Sequence, residues 1–227
     1  MTSSNGANPP VALAAKAIER GLDGRTRDAA AEVERILDAA LEVICAAEPD
    51  SPRVADIIAA AGTSNQAFYR YFAGKDDVIL AVMDRGVQRL RSYLTHQMGK
   101  ETEPDRQVVR WIEGVLAQSK TRRISLESRA VTRQVYAIQG RRVAEATDIR
   151  ETLGLMLVTP MRQAGASNPR VDAFAVHDVT MGALNRHIAE LAPATPAEVS
   201  AVVEFCLAGA GLLRRDRVAR GKGRSRT

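Results

Sequence analysis

Cysteine is scarce, with two residues in a chain of 227. Cys45 and Cys206 both sit in apolar helical patterns, so they read as reduced core residues of a cytoplasmic protein and not as a disulfide or metal site. No stretch approaches about 18 uninterrupted apolar residues, so no membrane span is expected. Met1 to Pro10 is polar and lacks the basic start and apolar segment of a secretory signal. Strand signals are sparse: there is no alternating β-branched run, and Asp23-Gly24 has no flanking strand pattern. Histidine is equally thin. His177 and His187 fall on one predicted helix without acidic or cysteine companions at metal-ligand spacing, so no metal is expected. A nucleophile elbow, a Gly-x-x-x-x-Gly-Lys phosphate loop and a His-Glu-x-x-His pair are all missing. Neither an enzyme nor a cofactor is expected.

What remains is helical periodicity. Apolar residues make up 45% of the chain, enough for a substantial core, and the net charge is +5. Such a balance suits a nucleic-acid partner without establishing one. The excess is concentrated in a basic tail, expected to be disordered, over 216–227. Residues 1–27 form an N-terminal extension, partly disordered. Within it 11–22 could make a small helix ended at Gly21 and Gly24. An amphipathic stripe of Val33, Ile36, Leu37, Ala40, Leu41 and Ile44 predicts a helix over about 28–47. Ser51-Pro52 reads as a cap followed by proline at the first helical position. A helix from Lys75 to about Met98 follows, with Gly99 as its stop. Further helices are expected near 104–120, 124–139, 142–165, 169–191 and 196–215, with a kink or break at Pro160.

The segment 54–75 carries the functional signal. An apolar helix runs to Gly62, and after a tight turn a second short helix buries Phe68 and Phe72. Its other face shows Asn65, Gln66, Tyr69 and Arg70. Two short helices joined by a glycine-containing turn make a helix-turn-helix, whose second helix can read base edges in the major groove. The amides of Asn65 and Gln66 can be bidentate to adenine, and Arg70 could reach a guanine or a phosphate. Thr63 and Ser64 can bond phosphate through hydroxyl or backbone amide.

Three motifs in register resemble the TetR family of bacterial transcriptional regulators. They are Arg35-Ile-Leu-Asp-Ala-Ala-Leu-Glu-Val, Asp56-Ile-Ile-Ala-Ala-Ala-Gly-Thr-Ser, and Ala67-Phe-Tyr-Arg-Tyr-Phe with Gly74-Lys75. The resemblance covers roughly 28–85. It implies a homodimer with a helix-turn-helix DNA-binding domain over 28–74 and a ligand-binding and dimerisation domain over 75–215. The fold class is then all-α: an N-terminal three-helix helix-turn-helix domain plus a C-terminal helical bundle, about nine helices in all. By resemblance Tyr69 contacts DNA, Tyr71 stands where a phosphate-contacting histidine often sits, and Lys75 takes a phosphate-binding position. Pro52 lies where the family often places a DNA-contacting threonine, and Ser51 or Arg53 can substitute. The predicted dimer pair is 169–191 with 196–215, where Gly209-Ala-Gly211 suits close helix approach. Arg20, Arg25 and Arg27 are either a minor-groove arm or simply exposed.

In the second half Trp111, Tyr136, Met156, Phe174, His177 and Met181 are the candidate lining of a mostly apolar pocket between helices. Ordinary core packing is the blander reading and the favoured one for each taken singly. Arginines between Arg122 and Arg142 would greet an anionic group or make a solvated face. The partners expected are therefore a double-stranded DNA operator, a lipophilic small-molecule effector and a second copy of the chain, with no membrane. The function expected is a ligand-responsive regulator, a repressor released from a palindromic operator. The alternative is an all-helical small-molecule-binding protein whose N-terminal helices mediate protein contacts.

Overall fold

The computed structural model describes residues 9–139 and 143–212, with side chains described over 27–138 and 150–212. The tail over 216–227, residues 1–8 and the side chains of Arg20 and Arg25 lie outside that range. Among the described residues the chain is all-helical, with no strand. The elements are α1 (Pro9–Ala47), α2 (Val54–Ala61), α3 (Asn65–Tyr71), α4 (Lys75–Met98), α5 (Pro104–Leu116), α6 (Arg122–Gln139), α7 (Val143–Gln163), α8 (Pro169–Glu190) and α9 (Pro196–Gly209). A short 3-10 turn, Ala117–Lys120, joins α5 to α6.

Two local expectations change, and a third is narrowed. α1 runs unbroken through Gly21 and Gly24, so the separate helix over 11–22 is absent. A glycine in a helix interior costs only about 1 kcal/mol against alanine, too little to stop a helix by itself. Pro52 does not begin α2. It is buried ahead of the helix, and Arg53 is the N-cap, with extended backbone. α7 passes through Pro160 without breaking and ends at Gln163. Only the last turn lies beyond the proline, so few backbone bonds depend on it.

Two apolar clusters organise the helices. The N-terminal cluster joins Ile36, Ala40 and Ile44 of α1 to Ile57 of α2, Phe68 and Phe72, and Val78, Ile79 and Val82 of α4. It also takes Ala130, Val131, Val135 and Ile138 from α6. The C-terminal cluster is built on Leu94 and Met98 of α4, Trp111, Ile112 and Val115 of α5, Leu153, Leu157 and Met161 of α7, and Val176 and Leu184 of α8. α4 therefore runs from one core into the other. α7 and α8 approach closely at Gly154, where an added Cβ would lie 2.7 Å from the Phe174 ring.

Polar contacts reinforce the junction. Arg85 of α4 is buried and pairs with Asp38 (2.7 Å) and Glu34 (3.1 Å) of α1. Arg129 of α6 pairs with Glu48 (3.2 Å) in the α1–α2 loop. Gln134 of α6, 6% exposed, donates to the Asp50 carbonyl (2.9 Å).

Candidate nucleic-acid interface

The α2–α3 turn follows from glycine chemistry. Gly62 adopts φ 59°, a left-handed conformation that costs an L-residue strain. Its N–H bonds the Ala59 carbonyl, and the Thr63 N–H bonds the Ile58 carbonyl, which closes α2 as a Schellman motif. Ser64 then caps α3, its Oγ accepting from the Ala67 N–H at 3.1 Å. Phe68 is fully buried and meets Phe72 at 5.5 Å between ring centroids. These two anchors fix which face of α3 looks outward.

That outward face carries Asn65, Gln66, Tyr69 and Arg70, all exposed. Neither the Asn65 nor the Gln66 amide has a hydrogen-bond partner among the described residues, so both are available to a base edge. Tyr69 is 56% exposed and stands edge-on to Phe68. The Arg70 guanidinium lies 5.7 Å from the Tyr71 ring centroid.

A second group lies across the α1–α2 loop and the start of α4. Lys75 Nζ donates to Ser51 Oγ at 2.8 Å, and Ser51 in turn donates to Gln134 Oε1 at 3.3 Å. Arg53 pairs with Asp56 at 2.9 Å, with its side chain 82% exposed. An exposed pair of this kind contributes about 0–1 kcal/mol, so a phosphate can compete for the guanidinium.

Thr63 and Tyr71 are placed differently from expectation. Tyr71 donates its hydroxyl to Glu32 Oε2 at 2.9 Å, and Thr63 donates to Glu32 Oε1 at 3.3 Å. The Thr63 amide is already spent on Ile58. An ionised phosphate accepts hydrogen bonds and does not donate them. In this arrangement both hydroxyl donors are engaged by the Glu32 carboxylate. Glu32 and Gln134 are the interface residues that sequence reasoning missed. Nothing local marks them, since each meets partners far away in the chain.

The C-terminal candidates do not converge on one place. Trp111 is fully buried, and its ring lies 6.0 Å from that of His177. His177 is itself buried, with Nδ1 2.9 Å from Asp178 Oδ1. Met156 and Met181 pack against the same cluster. Tyr136, in contrast, is 64% exposed on α6. Phe174 lies between α7 and α8 beneath the guanidinium groups of Arg150 (4.6 Å) and Arg170 (5.3 Å). A hydrogen bond from Arg150 holds the Asp178 carboxyl down to about 2. Burial pushes both thiols up, away from reactive thiolate. No group of His, Cys, Asp or Glu suited to a metal ion occurs among the described residues. No helix there is long and apolar enough to cross a membrane.

A helix-turn-helix with an open amide-bearing face, joined to a larger helical domain, defines a DNA-binding transcriptional regulator. Residues 36–82 match the family model for bacterial regulatory proteins of the tetR family. Members of that class are regulators and not enzymes. Three solved structures share the fold of the longer chain. The fatty acid degradation regulator FadR from Bacillus halodurans is 19% identical, covering 78% of this chain and 98% of its own, with a TM-score of 0.60. A transcriptional regulator from Rhodococcus sp. Rha1 is 18% identical over 80% of this chain and 99% of its own, with a TM-score of 0.62. A TetR-like transcriptional regulator from Rhodococcus sp. RHA1 is 21% identical over 84% of this chain and 97% of its own, with a TM-score of 0.55. At these identities the likeness is one of fold. No curated protein sequence matches the chain.

Proposed function

We propose that the protein is a homodimeric repressor that leaves a palindromic operator when a small molecule binds its C-terminal domain. The observation that carries this reading is the pair of exposed, unpartnered amides on α3, held outward by Phe68 and Phe72. Asn65 and Gln66 read bases, with Tyr69 and Arg70 beside them. Lys75, Ser51, Ser64 and Arg53 hold the backbone. Two copies would place two α3 helices in successive major grooves, about 34–36 Å apart.

The second copy is expected on α8 and α9. Phe205 is 65% exposed there, and Val171 and Val179 are also open. Large apolar side chains left open on a helix pair mark an association surface. The effector is expected within the C-terminal cluster. The buried Trp111 indole N–H has no hydrogen-bond partner among the described residues. A buried donor left unmade costs about 1–3 kcal/mol. A lipophilic molecule bearing a carbonyl or carboxylate oxygen would satisfy it.

α4 would transmit the change, since its two ends belong to the two cores. Coupling between effector and operator of about 1–3 kcal/mol is enough to release DNA, provided the effector prefers the unbound shape. Selection of duplexes from a random pool by the purified protein tests the core of this reading. Enrichment of a palindromic consensus is expected, and enrichment of none would refute it.

A further inference from the structure

The Glu32 carboxylate spans the two ends of the recognition helix. One oxygen accepts from Thr63, in the turn before α3, and the other accepts from Tyr71, the last residue of α3. Glu32 belongs to α1, whose apolar residues share one cluster with the Phe68 and Phe72 anchors. α3 is only seven residues long, so its own backbone bonds fix its orientation weakly. The apolar anchors set which face is buried. They leave rotation about the Phe68–Phe72 contact to be fixed by something else. A carboxylate that grips both ends supplies that constraint, and all three side chains are half-buried, where solvent competes less.

We infer that Glu32 is a positioning residue for DNA reading, and that Thr63 and Tyr71 act through it and not on phosphate. The inference rests on the DNA-binding reading above. An acidic side chain next to a DNA-reading helix is otherwise unfavourable, because it repels phosphate. Its presence there is explained if orientation of Asn65 and Gln66 gains more than the repulsion loses.

The two possible roles for Glu32 predict opposite results. If the residue were merely a surface charge, removing it would tighten binding to every duplex alike. As a clamp, its removal loosens α3 and damages discrimination, while non-specific affinity holds or rises. The probe is the duplex selected by the wild-type protein, set against a scrambled duplex of equal length. Glu32→Ala is expected to lower the ratio of selected to scrambled affinity about tenfold. Glu32→Gln keeps one acceptor oxygen and is expected to recover part of that ratio. Tyr71→Phe keeps the ring and loses the hydroxyl, and it should lower the ratio by a smaller factor. Combined with Glu32→Ala, it should add nothing further, the signature of two groups in one interaction. Thermal unfolding of each variant separates misfolding, which lowers both affinities together, from loss of discrimination.

An unchanged ratio in Glu32→Ala, or full additivity with Tyr71→Phe, overturns the inference. An Asn65→Ala, Gln66→Ala double variant serves as the control. If it loses the ratio while Glu32→Ala keeps it, the clamp fails and DNA reading stands. If the wild type enriches no duplex, both fail.

Discussion

Replacing Gln134 by leucine tests the link between α6 and the DNA-binding domain. The side chain is buried and makes two contacts with the α1–α2 loop: it donates to the Asp50 carbonyl at 2.9 Å and accepts from Ser51 at 3.3 Å. Leucine fills similar volume and removes both. Each neutral hydrogen bond contributes about 1 kcal/mol net. The larger penalty for stranding a buried polar group does not apply in full, because Asp50 and Ser51 are exposed and regain water. The longer Ser51 bond is also the weaker of the two. The expected loss is therefore about 1–2 kcal/mol, a fall in Tm of roughly 2–8 °C at this chain length. Binding should change as well. Ser51 accepts from Lys75 at 2.8 Å, so freeing Ser51 loosens the lysine. Affinity for all duplexes should drop a few-fold, since each factor of ten corresponds to about 1.4 kcal/mol, with the consensus sequence unchanged. Thermal unfolding and duplex titration at fixed salt measure the two effects. A variant with wild-type Tm and wild-type affinity would refute the idea that α6 braces this loop.

Gln66→Ala should relax sequence preference at one base pair by about 1–3 kcal/mol, read by competition between selected and mutated duplexes. Lys75→Ala should weaken every duplex to a similar extent and reduce the salt slope of log affinity by about one. Phe205→Glu places a charge on the open α8–α9 face and should yield monomers by sedimentation, with cooperative operator binding lost. The depressed Asp178 carboxyl contributes stability above its ordinary value of 3.8, and that contribution is lost as pH falls from there to about 2. Arg150→Ala should flatten acid unfolding in this window, because Arg150 is the main cause of the shift. Unchanged acid sensitivity would remove that pair from the account.

The parts of the fold that were legible in the sequence obey local rules. α3 and its inward phenylalanines follow from helical spacing, and the end of α4 at Gly99 follows from a glycine stop. The misplaced features were set elsewhere. Gly21 and Gly24 look like stops, yet the helix passes both. Pro52 looks like a helix start, yet it is buried ahead of α2. Tyr71 reads as a phosphate ligand only through the family resemblance, which carries no information about its partners in this chain. Glu32, 39 positions earlier, captures its hydroxyl instead. Gln134 was invisible for the same reason, lying 84 positions from the carbonyl that it holds. Contacts at such separation leave no periodic trace in the chain.

The four α6 side chains in the N-terminal cluster have a consequence for how the protein is made and handled. While the ribosome has delivered only α1 to α4, the DNA-reading unit still has an open flank where Ala130, Val131, Val135 and Ile138 will sit. Its interior is sealed only after the stretch through Gln139 emerges. Anyone transplanting this reading head onto another sensor must carry α6 along, or supply a substitute for its apolar edge.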